Sequence, residues 1–175
     1  MRNRRTAAAA LATGMLMTTM GLLSAGTANA AGDYENVQLV PRHAPTMCME
    51  VVDASTQHAA DVRLANCTGG AHQRWDVNHV GGNVYEIRPR HSGDKCLDVA
   101  WAGTHSGANV LQANCERRTN QRWWQRETSD GYREFLPTHT GGKCLDVKDA
   151  AKTHGTDIIQ SGCWGGNNQQ WKAVV

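Results

Sequence analysis

Beyond residue 30 the chain sets apolar and polar residues in short alternating runs. In Lys95-Cys96-Leu97-Asp98-Val99, Leu97 and Val99 fall on one side and Asp98 on the other, as a strand buried on one face requires. Val84-Tyr85-Glu86-Ile87 reads as the strand before it, and His91-Ser92-Gly93-Asp94 as the turn between them. No stretch of this part of the chain offers an amphipathic helix. The pattern predicts an all-β protein of short strands separated by turns.

The same pattern recurs with a period of 48 residues. At that shift Cys48, Cys96 and Cys144 fall in one column and Cys67, Cys115 and Cys163 in another, with no gap. Pro41, Pro89 and Pro137 align, as do His43, His91 and His139, then Gln73, Gln121 and Gln169, then Trp75, Trp123 and Trp171. Glu50, Asp98 and Asp146 share a column, as do Val62, Val110 and Ile158. The chain is therefore a threefold internal repeat, with units at about 36–83, 84–131 and 132–175. A unit of this size buries too little apolar surface to fold alone, whereas three packed about an axis can share one core. Leu97, Leu145, Val62, Val110, Ile158 and the three repeated tryptophans are the expected core.

The first thirty residues have another chemistry. Arg2, Arg4 and Arg5 precede an apolar run from Ala7 to Leu23 and then Ala28-Asn29-Ala30. That order reads as a secretory signal peptide, residues 1–30, cut after Ala30, so the working protein is expected to be residues 31–175, secreted and extracellular. As a membrane anchor the run is too short and is broken by Thr13, Gly14, Thr18, Thr19 and Gly21. Loss of the three arginines turns the formal charge of +2 into −1. A near-neutral surface argues against a nucleic acid or an anionic membrane as partner. All six cysteines lie beyond residue 30, and an even count behind an export signal points to three disulfides. Fifteen pairings are open in principle, of which few treat the repeats alike. The shortest loops join Cys48 to Cys67, Cys96 to Cys115 and Cys144 to Cys163. The spacing lacks Cys-x-x-Cys, which disfavours zinc, and no metal or cofactor is expected.

Cys96-Leu97-Asp98-Val99 and Cys144-Leu145-Asp146-Val147, each followed by a second cysteine and then by Asn120-Gln121-Arg122-Trp123 or Asn168-Gln169-Gln170-Trp171, resemble the ricin-B-type lectin family with its Gln-x-Trp repeat. The resemblance covers nearly all of residues 31–175. It implies a β-trefoil of about twelve strands with pseudo-threefold symmetry, three intra-repeat disulfides and up to three shallow carbohydrate sites. In such a site an aspartate after the first cysteine and an asparagine before the glutamine hold adjacent sugar hydroxyls. A carboxylate accepts two hydroxyl protons, and an amide both donates and accepts. Carried over, the sites are Asp98 with Asn120 and Asp146 with Asn168. Gln121 and Gln169 are expected to brace the aspartates. In the first repeat Glu50 and His72 stand at the corresponding positions, so that site is expected to be altered or dead.

The family usually places an aromatic ring two residues before the second cysteine, where this chain has Ala65, Ala113 and Ser161. Trp101 and Trp164 are the candidate replacements. Asn109 and Asp157, in a column with Asp61, are further ligand candidates, although turn capping by a short polar side chain explains them equally. His43, His91 and His139 are expected to bond within their own turns. Arg117, Arg118, Arg122 and Arg126 form a basic cluster expected to be a solvated edge. No catalytic arrangement stands apart from the repeat, so the expected function is non-enzymatic binding of a polysaccharide or glycoconjugate. The alternative is a protein-binding trefoil, an inhibitor or scaffold, with decayed sugar sites.

Overall fold

The computed structural model describes residues 33–175, and the signal-peptide reading of residues 1–30 lies outside them. The described chain is all β apart from short 3-10 turns: β1 (Tyr34–Pro41), β2 (Met47–Val51), β3 (Ala60–Asn66), β4 (Trp75–Gly81), β5 (Val84–Pro89), β6 (Lys95–Val99), β7 (Ala108–Asn114), β8 (Trp123–Glu127), β9 (Arg133–Pro137), β10 (Lys143–Val147), β11 (Thr156–Gly162) and β12 (Trp171–Val174). Strands β1-β12-β9-β8-β5-β4 close a barrel. Hairpins β2–β3, β6–β7 and β10–β11 lie off the barrel and meet through pairings of β3 with β7, β7 with β11 and β11 with β3. This is a β-trefoil: each repeat contributes two barrel strands and one hairpin, and closure removes the free sheet edges that single repeats would expose.

The recurrent apolar column residues fill the centre. Leu97, Leu145, Val62, Val110, Ile158, Trp75, Trp123 and Trp171 are all fully buried. Each tryptophan also satisfies its ring N–H, donating to the carbonyl of Met49, Leu97 or Leu145 at 3.0, 3.2 and 3.1 Å. These rings are core posts, since burial of so large a side chain requires a partner for its one polar atom. Disulfides join Cys48 to Cys67, Cys96 to Cys115 and Cys144 to Cys163. In the chain-entropy account each closed loop adds about 3 kcal/mol.

Two sets of contacts tie one repeat to the next. The Nε2 atoms of His91, His139 and His43 pair with the carbonyls of Ser55, Gly103 and Ala151 at 2.9, 2.9 and 3.0 Å. Each histidine thus reaches a loop of the neighbouring repeat, which corrects the expectation of bonding within its own turn. Gln112 donates to the carbonyls of Ser55 and Gln57, and Gln160 to those of Gly103 and His105. The first repeat has Leu64 in that column and makes no such tie.

Candidate functional site

Each repeat builds a small cup around the acid that follows its first cysteine, and the glutamine of the Gln-x-Trp segment sets the geometry. Gln121 Nε2 donates to Asp98 Oδ2 and to the Asn114 carbonyl, both at 2.8 Å, while its Oε1 accepts the Glu116 amide at 2.7 Å. Gln169 repeats this with Asp146 Oδ2 (2.7 Å), the Gly162 carbonyl (2.8 Å) and the Trp164 amide (3.0 Å). Gln73 does the same with Glu50, Asn66 and Thr68. One buried amide therefore locks the acid, the end of the hairpin and the loop after the second cysteine. It makes three hydrogen bonds in the second and third repeats and four in the first, where Thr68 Oγ1 also donates to it, and has no free polar atom facing the cup in this arrangement.

The acids differ in how much of their capacity is left over. Asp98 is bonded by Gln121 through Oδ2, while Asn120 Nδ2 donates to the Val99 carbonyl at 3.1 Å. Asn168 Nδ2 donates both to Asp146 Oδ1 at 3.0 Å and to the Val147 carbonyl at 3.1 Å. Burial pushes the Asp98 carboxyl up from the usual carboxylate range, against the opposing influence of the Gln121 and Asn120 amides beside it. Burial pushes Asp146 up to about 6. Between an unfolded value near 3.8 and a folded value of about 6, the folded state holds more protons at this position than the unfolded one. The contribution of Asp146 to stability is therefore fully present below the lower value and is lost as pH rises through the higher. Asp146→Asn is expected to remove that decline from the pH dependence of the unfolding free energy. A carbon NMR titration of the Asp146 carboxyl is expected to show a midpoint near pH 6.

Ala65, Ala113 and Ser161 leave the cups without the ring expected there, and two unrepeated tryptophans stand nearby. Trp101 is 100% exposed and lines a cleft of about 430 Å³ with Asp98, Ala113, Asn120 and Gln121. Its backbone is left-handed, φ 57°, as are those of Asp53 and Asp149 in the same column. Aspartate tolerates that conformation through local hydrogen bonding, whereas a bulky ring adopts it at a cost. Trp164 folds over Gly166: a Cβ on that glycine would lie 2.2 Å from the indole and 2.6 Å from Asn168 Oδ1. A glycine is thus required there for the ring to lie beside the third cup.

A side chain from the preceding repeat completes the second cup, and nothing in the repeat pattern announced it. His58 lines the Asp98 cleft, and its Nδ1 accepts the Asn114 amide at 3.2 Å. In the neutral ring this leaves the proton on Nε2. Ser106, one period later, accepts the Gly162 amide at 3.2 Å in the third repeat. His154 lines the first repeat's cleft with Glu50, Asp53 and His72. There Glu50 is engaged by Gln73 at 2.8 Å and lies 3.4 Å from His72 Nε2. The only sequence signal was a His, Ser, His column whose spatial neighbours a single repeat does not define.

Other candidates fall elsewhere. Asn109 Nδ2 donates to Asp61 Oδ1 at 3.0 Å, and Arg63 lies 3.3 Å from Asp61 and 3.4 Å from Asp157. Asn109 and Asp157 thus join Asp61 where the three hairpins meet, in paired strands rather than as turn caps. Within the basic cluster, Arg118 pairs with Glu116 and Arg126 with Glu134, both at 2.7 Å. Among the described residues no group of three or more His, Cys, Asp or Glu side chains is arranged to hold a metal ion.

The model of the ricin-type beta-trefoil lectin domain matches residues 35–171. Among solved structures, the designed 3-fold symmetric protein ThreeFoil is 39% identical, with a TM-score of 0.76, and the match covers 79% of this chain and 97% of that one. An exo-beta-1,3-galactanase from Clostridium thermocellum is 29% identical with the same TM-score; the match covers 81% of this chain but 30% of the enzyme. The Macrolepiota procera ricin B-like lectin, solved in complex with lactose, shares the fold at 17% identity and a TM-score of 0.65, over 80% of this chain and 94% of that one. No curated protein matches the sequence.

Proposed function

The chain belongs to the ricin-type beta-trefoil lectin family, and on that premise we propose that it is a secreted, non-enzymatic protein that binds a polysaccharide or glycoconjugate through its second and third cups. Asp98 with Asn120, and Asp146 with Asn168, are the hydroxyl-reading pairs, with Gln121 and Gln169 holding the carboxylates in place. Trp101 supplies the second cup with the ring that Ala113 does not, and His58 adds an N–H donor from the neighbouring repeat. Trp164 serves the third cup in the same way. The observation that carries the reading is the braced, buried carboxylate lining a cleft with an indole beside it. Such a site offers charge-assisted acceptors to hydroxyls and an apolar face to the ring of a sugar.

The first test is retention of residues 31–175 on a panel of insoluble polysaccharides, with free galactose and xylose as competitors. Sugar-competed retention is the expected result. Absence of retention on every glycan, together with capture of a protein partner insensitive to free sugars, would replace this reading with the protein-binding trefoil. Trp101→Ala is expected to weaken retention by about tenfold, corresponding to the loss of roughly 1 kcal/mol of ring contact. Because the side chain is fully exposed, its thermal midpoint should stay at or above that of the parent.

A further inference from the structure

A cleft of about 1060 Å³ lies away from all three cups, at one end of the barrel. It is lined by the start of β1 (Asp33, Tyr34), the β4–β5 turn and β5 (Asn83, Tyr85), and parts of β8 and β9. Its most distinctive wall is Trp124, 50% exposed, in a column occupied by Asp76 and Lys172 in the other repeats. The fold therefore does not require an aromatic residue at this position, and leaving an indole in water forgoes the burial that would stabilise the core. Tyr34 contributes a second ring, one face of which is covered by the Arg133 guanidinium at 4.6 Å. Tyr85, buried to 1%, lines the same cleft.

The charges select among ligands. Arg126 is bonded to the buried Glu134 at 2.7 Å and has its charge matched. Asp33 accepts the His79 amide, and Glu127 extends into solvent at the end of β8. Two carboxylates against the one remaining guanidinium, Arg133, disfavour a polyanion. They suit a neutral molecule rich in hydroxyls, because each carboxylate accepts hydroxyl protons and the half-exposed indole offers an apolar platform. The space is at the upper end of the range for small-ligand sites, enough for more than one sugar ring.

We propose that this barrel mouth is a fourth glycan site, independent of the cups, which binds a neutral oligosaccharide with one ring on Trp124 and hydroxyls on Glu127 and Asp33. The test uses the Asp98→Ala, Asp146→Ala protein, whose cups are disabled, titrated with xylohexaose, cellohexaose and a β-1,3-galactan oligosaccharide. Indole N–H resonances are followed by NMR, with that of Trp124 assigned by its loss in Trp124→Phe. The expected result is a saturable shift of the Trp124 resonance by at least one of these neutral sugars; the affinity for that sugar, measured by calorimetric titration, is weakened at least tenfold by Trp124→Ala and by Glu127→Gln. In the otherwise native protein, Trp124→Ala should keep its retention through the cups, which also reports that it folds. The proposal is overturned if none of the three sugars shifts Trp124 at concentrations up to about 10 mM. It is equally overturned if Trp124→Ala binds as the parent does, or if a sulfated hexasaccharide binds the mouth more tightly than the neutral ones. Cups that bind while the mouth does not refute this site alone; a mouth that binds while the cups do not refutes the cup assignment alone.

Discussion

Asp98→Ala combined with Asp146→Ala is expected to abolish retention on the polysaccharide that the parent binds, while the protein stays folded. Each carboxylate contributes charge-assisted hydrogen bonds, and losing them costs about 1.5–3 kcal/mol per site, or roughly tenfold to a hundredfold in affinity. Two weak sites on one rigid domain also reinforce each other on a polymer, so their joint loss removes the avidity as well. The fold should tolerate the change. Gln121 and Gln169 keep the Asn114 and Gly162 carbonyls and the Glu116 and Trp164 amides as partners, and burial already disfavours the ionised acids. A double variant retained as well as the parent, with an unchanged circular dichroism spectrum, would show that the cups are not where the glycan binds.

Trp123→Ala is expected to have the opposite profile, a loss of about 3–5 kcal/mol of stability. Its ring is fully buried and donates to the Leu97 carbonyl, so truncation leaves both a cavity and an unpaired acceptor. That is a large share of the stability of an ordinary domain. Urea unfolding is the measurement: the midpoint should fall steeply, whereas Trp101→Ala should leave it in place. The same residue type is thus structural at one position and, in the proposed function, ligand-facing at another, and burial separates the two positions.

The sequence made the trefoil legible because its period brings cysteines, glutamines and tryptophans into register, and each column has one structural job repeated three times. The braces made by Gln121 and Gln169 were legible for the same reason, since all their partners lie within one repeat. What a repeat contains does not say which neighbour it touches. The histidine ties from His43, His91 and His139, the entry of His58 into the second cup and the convergence of Asp61, Asn109 and Asp157 all depend on how the units are rotated about the axis. Trp124 was overlooked for a different reason. It departs from its column, and only closure of the barrel gives it Tyr34 and Tyr85 as neighbours in one cleft.

Strand β1 runs alongside β12, with Gln38 opposite Val174 and Pro41 opposite Trp171, and His43 pairs with the carbonyl of Ala151 in the last repeat. The two ends of the described chain therefore meet inside the ring of repeats, and the first-to-third junction is closed by strand pairing and a histidine tie as the other two are, with Leu64 in place of the glutamine tie. The position of the break in the backbone is then a matter of covalent order rather than of architecture. A circularly permuted chain, opened at the exposed Gly82-Asn83 turn and joined by a short linker from Val175 to Asp33, should reach the same trefoil with the same cups.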